Sequence, residues 1–220
     1  MQAIRLAVIV AAALVAATAS AEGDPMAIGK TLMEKGNAKG ATPCMTCHAA
    51  DGAGTPGGVF PRVAGQRADY LERQLSDFAS GKRDNALMKP IVAALSPSER
   101  SAAAAYFASL SGPSTAKAEP KLVARGEKIA RFGLWGRDVP ACESCHGPEG
   151  RGIGTHFPPL AAQHPGYVEA QFKAFKDGTR KNDALALMQG IAKRMSDDDV
   201  KAVAAYFASL PAAPAEEKKP

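Results

Sequence analysis

The feature that most narrows what this chain can fold into is that most of it is written twice. The segment "FPRVAGQRADYLERQLSDFASGKR" returns as "FPPLAAQHPGYVEAQFKAFKDGTR". The copies match at Phe60/Phe157, Pro61/Pro158, Gln66/Gln163, Tyr70/Tyr167, Gln74/Gln171, Phe78/Phe175 and Arg83/Arg180, each pair 97 positions apart. Further on, "AAYFASL" at 104–110 recurs at 204–210, now 100 apart, so the second copy carries three extra residues just before or around Met188. Such a repeat predicts two like modules in tandem rather than one larger domain.

Each copy reads as all-α. In the middle helix Leu71, Leu75 and Phe78 recur at i, i+4, i+7, as do Val168, Phe172 and Phe175, which gives one apolar stripe per copy. Gly81 and Gly178 stop those helices. The last helix opens at "SPSE", where Ser96 can cap, Pro97 suits the first turn and Glu99 can close a capping box; its counterpart "SDDD" has Ser196 as cap and three acids facing the positive helix end. The composition of "SGPSTAKAEP" at 111–120 marks a linker. The expected division is a first domain at 22–112, a linker at 113–120, a second domain at 121–211 and a disordered tail at 212–220.

The chain opens with Arg5 ahead of an apolar run that ends in Ala19, Ser20 and Ala21, which predicts a signal peptide over 1–21 cut before Glu22. The alternative, an uncleaved anchor, is disfavoured by the shortness of the run and its small-residue end. Without 1–21, which hold Arg5 and no acid, the formal charge falls from +5 to +4. That excess is mild and interspersed, so no nucleic-acid function is expected.

All four cysteines lie in "CMTCH" and "CESCH", each pair followed by a histidine. A disulfide framework, the usual reading of an exported chain, has no use for that histidine. Zinc needs four ligands together, yet the pairs are 98 residues apart in separate copies. Thiol redox chemistry explains CxxC alone. Covalent haem uses every atom: two thiols add to the vinyl groups and the adjacent histidine reaches iron. Met88 and Met188 both stand eight residues before the capping serine and are the sixth ligands of choice. Met195 aligns with Leu95 and reads as core. His156 and His164 align with Val59 and Arg67 and read as surface or loop histidines, and Trp135 as core or contact surface. The run "GPEGRGIG" is the turn after a haem motif rather than a phosphate loop.

With CxxCH, "FPxxAxQ", the methionine loop and "AYFASL" all doubled, the chain resembles the cytochrome c4 family, the two-haem class I cytochromes c. The resemblance covers nearly all of residues 23–212. It implies two tandem class I cytochrome c domains related by a pseudo-twofold axis. Two haem c groups would be attached at Cys44/Cys47 and Cys142/Cys145, with axial pairs His48/Met88 and His146/Met188. The Pro61 and Pro158 carbonyls would orient the proximal histidines.

The function expected is single-electron transfer without substrate turnover, in the periplasm, free or membrane-associated, by a monomer with no transmembrane segment once mature. By family resemblance the donor and acceptor are redox proteins, such as a quinol-oxidising complex and a terminal oxidase. The alternative is a dedicated electron-accepting subunit of a periplasmic dehydrogenase, for instance one oxidising thiosulfate. A two-haem peroxidase needs an open iron position, whereas this chain offers a methionine to both irons.

Overall fold

The computed structural model describes residues 23–111 and 118–212. The expected signal peptide lies outside the described residues, as do most of the expected linker and tail. Among the described residues there are helices and three isolated bridges but no strand, and no helix is long and apolar enough to cross a membrane.

The first domain contains α1 (Pro25–Lys35), α2 (Met45–His48), α3 (Ala68–Ser80), α4 (Met88–Ala93) and α5 (Pro97–Ser109). The second repeats it with α6 (Pro120–Phe132), α7 (Glu143–His146), α8 (Pro165–Lys176), α9 (Leu187–Arg194) and α10 (Asp197–Ser209). The stop signals act where the sequence places them: α3 ends at Gly81 in the left-handed region (φ 77°), and the chain after α8 turns at Gly178 (φ 76°). Both last helices start in a full capping box. Ser96 is paired with Glu99, and Ser196 with Asp199, an aspartate doing what a glutamate does in the first copy.

In each domain the first and last helices cross at van der Waals distance, α1 on α5 and α6 on α10. The crossing needs glycine. A Cβ on Gly29 would run into the Ala102 carbonyl, and one on Gly126 into that of Ala202. Around these crossings Leu32, Ala41, Leu95 and Ala103 form one core, and Ile129, Val139, Met195, Val203 and Phe207 belong to the other. Met195 is 2% exposed, core as expected.

The two domains face each other across a pseudo-twofold axis made by the residues the repeat preserves. Gln66 Nε2 donates to Pro159 O (2.9 Å), and Gln163 Nε2 donates to Arg62 O (2.9 Å). Arg83 donates to Tyr167 Oη (3.0 Å) and Gln171 Oε1 (3.0 Å), and Arg180 to Tyr70 Oη (3.2 Å) and Gln74 Oε1 (3.2 Å). Arg83 and Arg180 also form a backbone bridge. Each guanidinium lies over a phenylalanine of its own domain, Arg83 over Phe78 and Arg180 over Phe175.

His164 is a loop residue, as one half of the expectation has it, but not a surface one. It is buried, 2% exposed, and its Nε2 lies 2.7 Å from Ala53 O of the other domain. Its position at the start of α8 would be surface in an isolated module, but the neighbouring domain covers it. His156 is exposed. Trp135, which opens the 3₁₀ turn Trp135–Arg137 just after Phe132 ends α6, is 73% exposed and Phe132 65%, so Trp135 belongs to the surface.

Candidate functional site

Each CxxCH motif forms a single helical turn. His48 N donates to Cys44 O (2.9 Å), and His146 N to Cys142 O (2.9 Å). This turn brings the thiol of the N-cap residue, Cys44 or Cys142, together with the thiol and imidazole that end α2 or α7. The glycine run that follows bends back onto it, with Gly54 N donating to His48 O (2.9 Å) and Gly152 N to His146 O (2.6 Å). Gly52 O then accepts from Val63 N and Ala64 N, and Gly150 O from Leu160 N and Ala161 N, which pins the "FPxxA" segment under the histidine. The run at 147–154 is thus a turn after the motif, as its spacing suggests.

That pinning fixes the imidazoles. His48 Nδ1 donates to Pro61 O at 3.0 Å and His146 Nδ1 to Pro158 O at 2.9 Å. The tautomer is thereby set, and Nε2 is the nitrogen left to bind. Phe60 and Phe107 stand edge-on to His48 at centroid distances of 6.5 and 6.4 Å, and Phe157 to His146 at 6.0 Å. Burial holds both histidine pKa values down, the proline bonds offsetting this in part, so each ring is neutral and ligand-competent.

The first thiol of each motif has the opposite of redox-active character. Burial pushes Cys44 up to about 11 and Cys142 to about 12, far from the depressed values of thiol–disulfide enzymes. All four cysteines are unpaired. Among the described residues no three His, Cys, Asp or Glu side chains converge on a point that would hold a bare metal ion. The donor set of each site, one imidazole with a free Nε2 beside two thiols, fits a covalently tethered haem.

Met88 begins α4, its N–H donating to Asn85 Oδ1 (2.9 Å); Met188, in α9, donates to Asp183 Oδ2 (2.8 Å). Both are half-buried, whereas Met33 and Met195 are sealed in the cores. The extra residues of the second copy form the 3₁₀ turn Ala184–Ala186 ahead of Met188, with Leu185 (φ 57°) and Ala186 (φ 55°) in the left-handed region. The insertion lengthens the loop and leaves the helix that carries the methionine in place.

What sequence reasoning missed is the polar seam between the domains. Its signal was present: Gln66/Gln163, Tyr70/Tyr167, Gln74/Gln171 and Arg83/Arg180 are identical polar pairs, kept where core packing does not require them.

The cytochrome c family model matches residues 26–111 and 123–211. The chain is 46% identical over 185 residues to a thiosulfate dehydrogenase electron acceptor of Stutzerimonas stutzeri, covering 83% of this chain and 86% of that one. It is 42% identical over 177 residues to cytochrome c4 of Pseudomonas aeruginosa, covering 80% and 87%. Among solved structures, thiosulfate dehydrogenase (TsdBA) from Marichromatium purpuratum superposes with a TM-score of 0.80 at 40% identity. The match covers 85% of this chain but spans only 40% of that one. Two duplicated CxxCH domains, each with a proline-bound neutral histidine, and these matches together place the chain in the cytochrome c family, among the two-haem cytochromes c4, electron carriers with two covalently bound haem c groups.

Proposed function

We propose that Cys44 and Cys47 tether the first haem and Cys142 and Cys145 the second, with His48/Met88 and His146/Met188 as axial pairs. The observation that carries this is the matched histidine geometry, Nδ1 committed to a proline carbonyl and Nε2 free in both domains. Haem iron between imidazole and thioether supplies a one-electron couple whose ferrous form the sulfur favours. The protein's part is to hold both ligands still. The glycine turn and Pro61 or Pro158 fix the ring, and Asn85 or Asp183 fixes the start of the methionine helix, so little rearranges when the charge changes. A methionine for each iron leaves no position for substrate, and the protein turns over none.

The mature chain begins at Glu22 in the periplasm and passes electrons between respiratory redox proteins, such as a quinol-oxidising complex and a terminal oxidase. A second reading is favoured by the 46%-identical relative described as a thiosulfate dehydrogenase electron acceptor: the electrons would then come from a thiosulfate-oxidising partner. Stopped-flow reduction of the oxidised protein by each donor separates the two, the true donor reducing it at low concentration and the other slowly.

Ligation is tested by the near-infrared band of ferric haem bound to methionine. The wild type should show two haems by intact mass, a band worth two irons and poor carbon monoxide binding. Met88→Ala and Met188→Ala should each remove half the band and open one iron to carbon monoxide, while Met195→Leu changes neither. A band worth one haem in the wild type would move the second ligand elsewhere.

A further inference from the structure

The domain interface meets a proximal histidine at one peptide group, and on one side only. The Pro61 carbonyl accepts from His48 Nδ1 at 3.0 Å. The N–H of the same peptide, on Arg62, donates across the interface to Gln163 Oε1 at 3.0 Å. Gln163 Oε1 also accepts from His164 N (3.0 Å) while its Nε2 donates to Arg62 O (2.9 Å), which fixes the orientation of the amide. Arg62 is 3% and Gln163 4% exposed.

Under the pseudo-twofold, Gln66 stands for Gln163, and its Nε2 donates to Pro159 O at 2.9 Å. The return bond does not exist. The residue matching Arg62 is Pro159, whose nitrogen has no hydrogen to give, and Gln66 Oε1 is accordingly buried without a partner. The Pro158 carbonyl that receives His146 Nδ1 therefore belongs to a peptide with no N–H to engage.

We infer that Gln163, a residue of the second domain, is a positioning residue for the iron of the first, acting through the Pro61–Arg62 peptide, and that Pro159 removes the same lever from the second iron. The inference rests on the reading of His48 and His146 as proximal ligands. Engaging an amide N–H makes its oxygen a better acceptor, by about 10–30% per bond in a hydrogen-bonded chain. A stronger acceptor draws on the Nδ1 proton and makes the ring a more basic ligand, which favours ferric iron. The first iron is therefore held more resistant to reduction than its ligands alone would make it, and only while the domains are docked.

The test is a spectroelectrochemical titration of the full two-haem protein, with the irons resolved by paramagnetic NMR. Gln163→Leu should shift the reduction equilibrium of the first iron toward ferrous by about threefold, roughly 28 mV at 59 mV per decade for one electron, and leave the second unmoved. Gln66→Leu strips the mirror contact and should move neither. If it moves the second iron as far as Gln163→Leu moves the first, the effect is a loosened interface and the inference falls. Pro159→Ala supplies the missing N–H to Gln66 Oε1 and should shift the second iron toward ferric by a similar factor; adding Gln66→Leu should undo it. No shift in Pro159→Ala, or equal shifts at both irons, overturns the proposal. Haem mass and the near-infrared band are read on the same samples. If those fail in the wild type the ligand reading falls too, and if they hold while the potentials stay put only the relay falls.

Discussion

The two domains solve one structural problem with different chemistry. In each, the loop ahead of CxxCH must be tied to the start of the last helix. The first domain uses an amide: Asn37 Nδ2 donates to Ala94 O (2.9 Å) and to Glu99 Oε1 (3.0 Å), with Lys39 a further 3.7 Å from Glu99. The second uses charge. Arg137 donates to Arg194 O (3.3 Å) and to Asp199 Oδ2 (2.6 Å), while Arg125 reaches Asp199 Oδ1 (2.6 Å). The acid in both is the one that closes the capping box. A fold therefore dictates which groups must meet; whether they meet as dipoles or as ions is free to drift between copies, and it sets how each domain responds to pH and substitution.

Removing the shared acid should separate the domains most. Asp199→Ala leaves two arginines facing a buried gap and uncaps α10, and should cost the second domain about 3 kcal/mol, at the low end for a broken buried pair because both guanidiniums are half in water. Glu99→Ala loses a cap and an amide contact and should cost the first domain about 1 kcal/mol. Urea unfolding followed at each haem's own NMR signals measures both; equal losses would dissolve the comparison.

The same acids should give the domains different acid sensitivity. Burial works against both carboxylates. The Ser96 amide and Asn37 nonetheless hold Glu99 below its usual range, and Ser196, Arg137 and Arg125 hold Asp199 well below. A depressed pKa stabilises the fold fully above the unfolded value, about 4, and that stability is lost as pH falls through the folded value. The second domain should therefore lose more stability than the first below about pH 4. Asp199→Asn should flatten its pH dependence there and leave the first domain's unchanged, as acid titrations of domain-resolved unfolding would show.

Gly29→Ala and Gly126→Ala probe what the domains share. A methyl forced into the facing carbonyl should destabilise either domain by about 2 kcal/mol, overpacking outweighing the better helix propensity of alanine. Domain-resolved thermal unfolding would reveal an unequal effect, and with it a crossing in one copy that can yield. The smallest expected change is confined to the second domain. Leu185 is 91% exposed in the left-handed region, so Leu185→Gly should stabilise the domain by under about 1 kcal/mol and leave the near-infrared band intact.

Much of this molecule was legible in one dimension because its determinants are local or periodic. The repeat, the apolar stripes, the glycine stops, the cap at Ser96 and the CxxCH turns each depend on residues within a turn or two of one another. The spacing of Met188 from Ser196 survived a three-residue insertion for the same reason: the extra residues sit upstream, in a turn of their own. The seam between the domains is another matter. Gln163 with Arg62, His164 with Ala53, and Arg180 with Tyr70 and Gln74 join positions about a hundred residues apart, and nothing local distinguishes a polar side chain that will meet a second domain from one that will meet water. His164 reads as a surface or loop histidine on that account. Only docking turns a missing N–H into a buried, unanswered oxygen, because the need for a hydrogen-bond partner arises when water is excluded.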